Sequence, residues 1–408
     1  MEMVRDAAAA AAKAAGGGSG GAGDFWSDAL KSFLDHIPVS SVPGALRPTA
    51  SPAVEIKLGG CVRDAIDAMY SGGAAGAVIV DDVQSSFGKF VDRDIGFVEF
   101  SSLVLWALEE LGKVGSESKD GSSDFLSSLK AHPQIAETKI AWLAKLFLWE
   151  PFFPVRTHDT LFHAMLLFSK HHRLNVVPIV ESMNSSVIGF VTQNAVMELL
   201  LQSSGLEWLD KIADKQLSEF RFVNVSKPVV VYSDQTLVDA LHILSKEKNG
   251  VAVIDRENKC LIGSLQGNDL YLLLDHNSLF SSRKTTTLEE FIKLKNKSDN
   301  SKAENSSASE VQNILPLRNA GQARPSLPVT NQKSDTLKQA MEKLTASSSS
   351  CSFIIDEQGH VEGVVTTRDI ISIFSPPCMD STIDGGTFFS GALEQAGCRV
   401  ENGQMIRN

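Results

Sequence analysis

The sequence predicts an α/β protein built from four copies of one unit, on two repeated phrases and one shared periodicity. The first phrase is a glycine, a short apolar strand, a polar junction and an amphipathic helix. It reads IGFVEFSSLVLWAL from Ile95, IGFVTQNAVMELLL from Ile188, IGSLQGNDLYLLL from Ile262 and VEGVVTTRDIISIF from Val361. The second phrase precedes it each time: CVRDAIDAM at Cys61, TLFHAMLLF at Thr160, TLVDALHIL at Thr236 and TLKQAMEKL at Thr336. In every second phrase apolar residues fall at i, i+3, i+4 and i+7, as in Leu237, Ala240, Leu241 and Leu244, which is one buried helix face.

Between the two phrases runs a short apolar strand ending in an acid: AVIVD, VPIVE, VAVID or SFIID. The unit is therefore strand, helix, strand, strand, helix. At about 50–60 residues it is near the lower limit for a self-sufficient core, so the copies should pack in pairs. The copies cover Val54 to Leu111, Phe153 to Gln202, Val229 to Asp275 and Leu327 to Phe374.

Composition divides the rest. An Ala/Gly-rich disordered tail (1–24) leads into the first copy with its preceding segment (25–112), a linker (113–152) and the second copy (153–205). A connector (206–228), the third copy (229–282), a polar disordered linker (283–326), the fourth copy (327–375) and a C-terminal tail (376–408) follow. The linker from 283 contains KLKNKSDNSKAENSSASE, too polar to bury a core.

Charge and cysteine content exclude several classes. A net charge of -11 argues against a general nucleic-acid or anionic-membrane binder. The Lys/Arg-rich run from Arg283 to Lys297 is interrupted by Glu289 and Glu290 and reads as a solvated linker. Cys61, Cys260, Cys351, Cys378 and Cys398 are widely spaced with no Cys-x-x-Cys pair. They form neither a zinc site nor a disulfide framework, which indicates a reducing compartment, cytoplasm and/or nucleus. The most apolar run, Ile140 to Val155, is broken by Lys145, Glu150, Pro151 and Pro154, so no membrane span is expected. His163 and His171, eight residues apart, would lie about 12 Å apart along a helix and cannot share a metal ion.

The four phrases resemble the CBS domain, named for cystathionine beta-synthase, a family that works in pairs and binds adenosyl compounds in the clefts between paired copies. The order of segments resembles the plant form of the regulatory gamma subunit of AMP-activated, sucrose-non-fermenting-related protein kinases. FLDHIPVSS before the first copy, MLLFSKHHRLNVVPIVE in the second and GLEWLDKIADKQLSEF after it carry that resemblance. It implies two CBS pairs in a disc, one with two and three with four. It also implies a non-catalytic role beside a kinase catalytic alpha subunit and a beta subunit, with no required cofactor and AMP, ADP or ATP as candidate ligand. Free-standing adenosyl-ligand sensing for another enzyme, or a scaffold with decayed sites, are the alternatives.

In the family the junction carboxylate accepts hydrogen bonds from both ribose hydroxyls, and the residue three positions earlier contacts sugar or base. Counting six residues from the glycine gives Asp369 in copy four, Asp269 in copy three, Ala195 in copy two and Ser102 in copy one. The earlier position holds Thr366, Gln266, Thr192 and Glu99, respectively. The resemblance therefore points to Asp369, Thr366, Asp269 and Arg368 as ligand contacts. The same residues can equally be a helix cap, since Thr at a strand-to-helix junction satisfies orphan N–H groups. Cations expected before the acid-ending strand are absent, and His171, His172, Arg173, Lys246 and Lys248 are the nearest candidates for phosphate. FLDHIPVSS offers apolar anchors (Phe33, Leu34, Ile37, Val39) around Pro38 without a counterpart before the other copies. It reads either as a docking edge for the beta subunit or as a staple on the first copy.

Overall fold

The computed structural model describes residues 30–46, 54–80, 96–114, 124–144, 150–151, 153–170, 174–181, 187–225, 227–247, 250–303, 327–375, 398–401 and 404–407. Helical backbone at 30–36 (α1) precedes unit one, which comprises β1 (Glu55–Lys57), α2 (Val62–Ser71), β2 (Gly76–Val80), β3 (Gly96–Glu99) and α3 (Phe100–Val114). Short helices α4 (Phe125–Lys130), α5 (Pro133–Ala136) and α6 (Ile140–Ala144) lead to β4 (Glu150–Pro151), which pairs with β3. Unit two is β5 (Val155–Arg156), α7 (Leu161–Lys170), β6 (Val176–Val180), β7 (Val187–Thr192) and α8 (Gln193–Gln202).

After α9 (Glu207–Ala213) and α10 (Arg221–Val225), unit three is β8 (Val230–Tyr232), α11 (Leu237–Leu244), β9 (Val251–Ile254), β10 (Leu261–Leu265) and α12 (Tyr271–Asp275). Helices α13 (Asn277–Ser282) and α14 (Leu288–Ala303) separate it from unit four. That unit is β11 (Thr330–Asn331), α15 (Leu337–Ser347), β12 (Cys351–Ile355), β13 (Val361–Thr366) and α16 (Thr367–Phe374). A hairpin of β14 (Cys398–Glu401) and β15 (Gln404–Arg407) lies near the C-terminus.

In each unit the first strand runs parallel to the second, because a helix carries the chain across, and the third returns antiparallel. The acids that end the second strands of units three and four are turn formers. Asp255 accepts the N–H groups of Glu257 and Asn258 at 2.8 and 3.0 Å, and Asp356 accepts those of Gln358 and His360 at 2.9 and 2.8 Å. The repeated helix faces are core: Leu161, Ala164, Met165 and Phe168, like Leu337, Ala340, Met341 and Leu344, are fully buried.

Two kinds of contact join the units. Sheet residues of units one and two share one apolar cluster (Val78, Phe97, Val176, Phe190), and those of units three and four share another (Ala252, Cys351, Phe353). Helices pair differently. Units one and three share a core containing Ile66, Leu103, Leu241 and Leu273, while units two and four share one containing Met165, Leu200, Met341 and Ile370. Each unit thus touches one neighbour through its sheet and another through its helices, and the four close a ring in the order one, two, four, three.

The segments between units clasp the start of each unit's first helix by backbone bonds. The carbonyls of Thr138, Ile37, Thr286 and Lys215 accept the N–H of Val62, Leu161, Leu237 and Leu337 at 3.0, 2.7, 2.9 and 2.9 Å. Two residues beyond each carbonyl, a buried aliphatic residue (Ile140, Val39, Leu288, Leu217) returns its own N–H to the unit. FLDHIPVSS is one of these four clasps, which corrects the expectation that it has no counterpart. It grips unit two instead of unit one, and its anchors Phe33, Leu34, Ile37 and Val39 are buried, so it is not a free edge. Pro38 fits because the clasp uses the Ile37 carbonyl and the Val39 N–H.

Clasping also explains the glycine of the first phrase. The Ala45 carbonyl lies over Gly189, where an added Cβ would clash with it, and Ile292 lies over Gly263, where an added Cβ would sit 2.6 Å from its Cδ1. A second correction concerns the stretch expected to be a disordered linker from 283. Residues 288–303 form α14, whose Leu288, Phe291 and Ile292 are buried at i, i+3 and i+4 against unit three. The remainder of that linker, 304–326, lies outside the described residues.

Candidate functional site

The four strand-to-helix junctions carry the polar side chains that the sequence singles out, and each is built differently. At unit four, Thr366 Oγ1 accepts the Asp369 N–H at 3.1 Å and donates to Asp369 Oδ2 at 2.7 Å. The Thr366 N–H donates to the same oxygen at 2.9 Å, completing a reciprocal cap on α16. The cap reading is therefore realised, and it spends only one carboxylate oxygen. Asp369 Oδ1 takes no hydrogen bond from any described residue, so the side chain keeps lone pairs for a further donor. Arg368 beside it is partly buried and forms no ion pair with a described residue. Burial lowers its guanidinium from the ordinary value, with Asp369 opposing.

At unit three the carboxylate half of that cap recurs, with the Gln266 N–H on Asp269 Oδ2 at 2.8 Å, while the Asp269 N–H donates to the Gln266 backbone carbonyl at 2.9 Å. Here the carboxylate is buried and holds the Lys295 ammonium at 2.9 Å, an ion pair with side-chain exposures of 14% and 5% for Lys295 and Asp269. Lys295 also donates to the Ser264 carbonyl at 3.2 Å. The Gln266 amide reaches across to unit four, donating to Ser349 Oγ at 3.1 Å. Cys351 beside it is fully buried, and burial pushes its thiol up to about 12.

Units one and two carry no acid at the position equivalent to Asp269 and Asp369, which holds Ser102 and Ala195. Glu99 takes the Asn175 amide of unit two at 2.8 Å, and Thr192 caps α8 through the Ala195 N–H at 3.1 Å. One junction pair escaped the sequence reading. Thr367 Oγ1 donates to Gln193 Oε1 at 2.6 Å, both side chains buried, and joins units four and two. Each is the residue after a capping Thr, a signal visible only once units two and four are known to face each other.

The expected ligand residues thus divide. Thr366, Arg368 and Asp369 share one helix start, while Asp269 is tied to Lys295, a residue assigned beforehand to a linker. Among the phosphate candidates, Lys246 is exposed beyond the end of α11, and His171, His172, Arg173 and Lys248 lie outside the described residues. Among the described residues no group of three His, Cys, Asp or Glu is placed to hold a metal ion, and no helix is long and apolar enough to cross a membrane.

Comparison with protein families matches the CBS domain at residues 145–202, 221–272 and 328–376. These segments are CBS domains. Unit one is not among the CBS-matched residues but has the same strand and helix order and the same clasp. The chain is 23% identical over 372 residues to the "SNF1-related protein kinase regulatory subunit gamma-1" of Arabidopsis thaliana, covering 85% of this chain and 83% of that protein. It is 22% identical over 417 residues to the gamma-1-like subunit of the same plant, covering 86% and 88%. Among solved structures, protein MJ1225 of Methanocaldococcus jannaschii is 15% identical with a TM-score of 0.49, covering 82% of this chain and 99% of that one.

Proposed function

We propose that this CBS protein is a non-catalytic, gamma-type regulatory subunit of a heterotrimeric Ser/Thr kinase that responds to energy or carbon status. The observation that carries the reading is collinearity. The two Arabidopsis kinase subunits align with 85% and 86% of this chain's length and 83% and 88% of their own. Four such units closed into one ring also occupy most of the described chain. An adenine nucleotide would bind in the three–four pair with its ribose hydroxyls on Asp369, which has the free oxygen such a diol needs.

Affinity purification of the full chain from its native extract tests the assembly. Kinase alpha and beta subunits should co-purify in stoichiometric amounts, and their absence sends the reading to a free-standing sensor. A second reading, a scaffold with closed clefts, draws on the internal contacts Glu99–Asn175, Gln266–Ser349 and Asp269–Lys295. Calorimetry with AMP, ADP, ATP and S-adenosylmethionine separates them, since a scaffold binds none.

A further inference from the structure

The ammonium at Asp269 is not a surface pairing. Lys295 lies four residues beyond Phe291 and three beyond Ile292, on the face that α14 turns toward unit three, where Leu288, Phe291 and Ile292 are buried. A lysine at the end of an apolar stripe is costly unless its charge is matched, and the matching groups are Asp269 and the Ser264 carbonyl. Ile292 presses on Gly263 hard enough that an added Cβ would lie 2.6 Å from its Cδ1, so the helix is seated in register with the junction. Gln266 closes the same cleft from the other side through Ser349 of unit four. Unit four has a covering helix too, but α10 ends at Val225, two residues past the Val223 carbonyl that lies over Gly363, and no described lysine reaches Asp369.

We propose that Lys295 is a tethered occupant of the unit-three junction: α14 carries in a cation that takes the carboxylate a ribose diol would need, leaving one adenosyl site in the three–four pair, and release of α14 opens the second. This rests on the reading of the junction carboxylates as ribose acceptors. The ammonium wins while α14 is docked because it brings a full charge and three donors from within the same chain, at the high effective concentration that tethering provides. A neutral diol arriving from solution brings neither advantage.

The test is calorimetric titration of the full chain with adenosine, using 2′,3′-dideoxyadenosine as the control without the diol. In an Asp369→Ala background, adding Lys295→Ala should raise adenosine affinity at least tenfold. The gain should be absent with the dideoxy control and lost again on adding Asp269→Asn. Lys295→Met keeps the alkyl stem packed should the alanine variant unfold, and it should increase hydrogen exchange across 288–296. No gain in either lysine variant, or a gain that survives Asp269→Asn, overturns the proposal. Binding by the unmutated chain is a separate readout: its absence removes Asp369 as a ligand group while the lysine variants still decide the role of Lys295.

Discussion

At Gln266–Asp269 and at Thr366–Asp369 the chain sets the same carboxylate on the N-cap N–H, yet the first carboxylate lies under a lysine and the second keeps an oxygen without a described partner. The difference originates outside both junctions, in the helices that cover the neighbouring strands. A sixteen-residue α14 reaches past its glycine to the junction, and a five-residue α10 stops short. The same local motif can thus serve as a lock in one copy and an open acceptor in the next. Which role it takes is decided by a segment that belongs to neither repeat.

The sharpest way to break this comparison is to remove each carboxylate and measure stability. Asp269→Ala strands a largely covered ammonium and should cost up to about 3 kcal/mol in urea unfolding, whereas Asp369→Ala loses a cap worth about 1 kcal/mol. Equal losses would show that the Lys295 pair is not what distinguishes the two junctions. The ligand arm runs the other way. Asp369→Ala should forfeit two bonds from ribose to a charged acceptor, each about 1.5–3 kcal/mol at most, so AMP binding measured by calorimetry should fall by more than tenfold.

Smaller effects sharpen the picture. Gln266→Ala removes the bond to Ser349 and should lower the unfolding midpoint by an amount worth about 0.5–1.5 kcal/mol, with AMP affinity at Asp369 unchanged. The mildest test lies at the opposite end of β13, where the hairpin tips of units three and four meet. His360 places Nδ1 2.8 Å from the Asp356 carboxylate and Nε2 3.0 Å from the Asn258 carbonyl, so both nitrogens face acceptors and the imidazolium is favoured. The Asp356 hydrogen bond raises its pKa. A raised histidine stabilises the fold below its ordinary value and loses that contribution as pH rises through the raised one. His360→Asn should therefore destabilise slightly at about pH 5.5 and not at about pH 9, read as thermal midpoints across that range.

Much of this was legible beforehand because it is local. The four units, their helix faces and the positions of Asp369 and Asp269 follow from periodicity and from a fixed count after a glycine, all within one repeat length. The clasps were not legible. They act through backbone carbonyls and N–H groups, and the bridging residues Pro38, Lys139, Gln216 and Thr287 share no chemistry. Lys295 was missed because it sits 26 residues beyond Asp269 (295 − 269) in a run whose average polarity suggests disorder. The spacing of Leu288, Phe291 and Ile292 was the one signal that could have placed it. The Thr367–Gln193 bond needed the ring order, which no single copy contains.

Titration of AMP into the full chain, beside Asp369→Ala and Asp269→Ala, tests the central claim most directly. The account predicts one site per chain in the unmutated protein, abolished by Asp369→Ala and retained in Asp269→Ala. Two equivalent sites, or binding that survives Asp369→Ala, would contradict it.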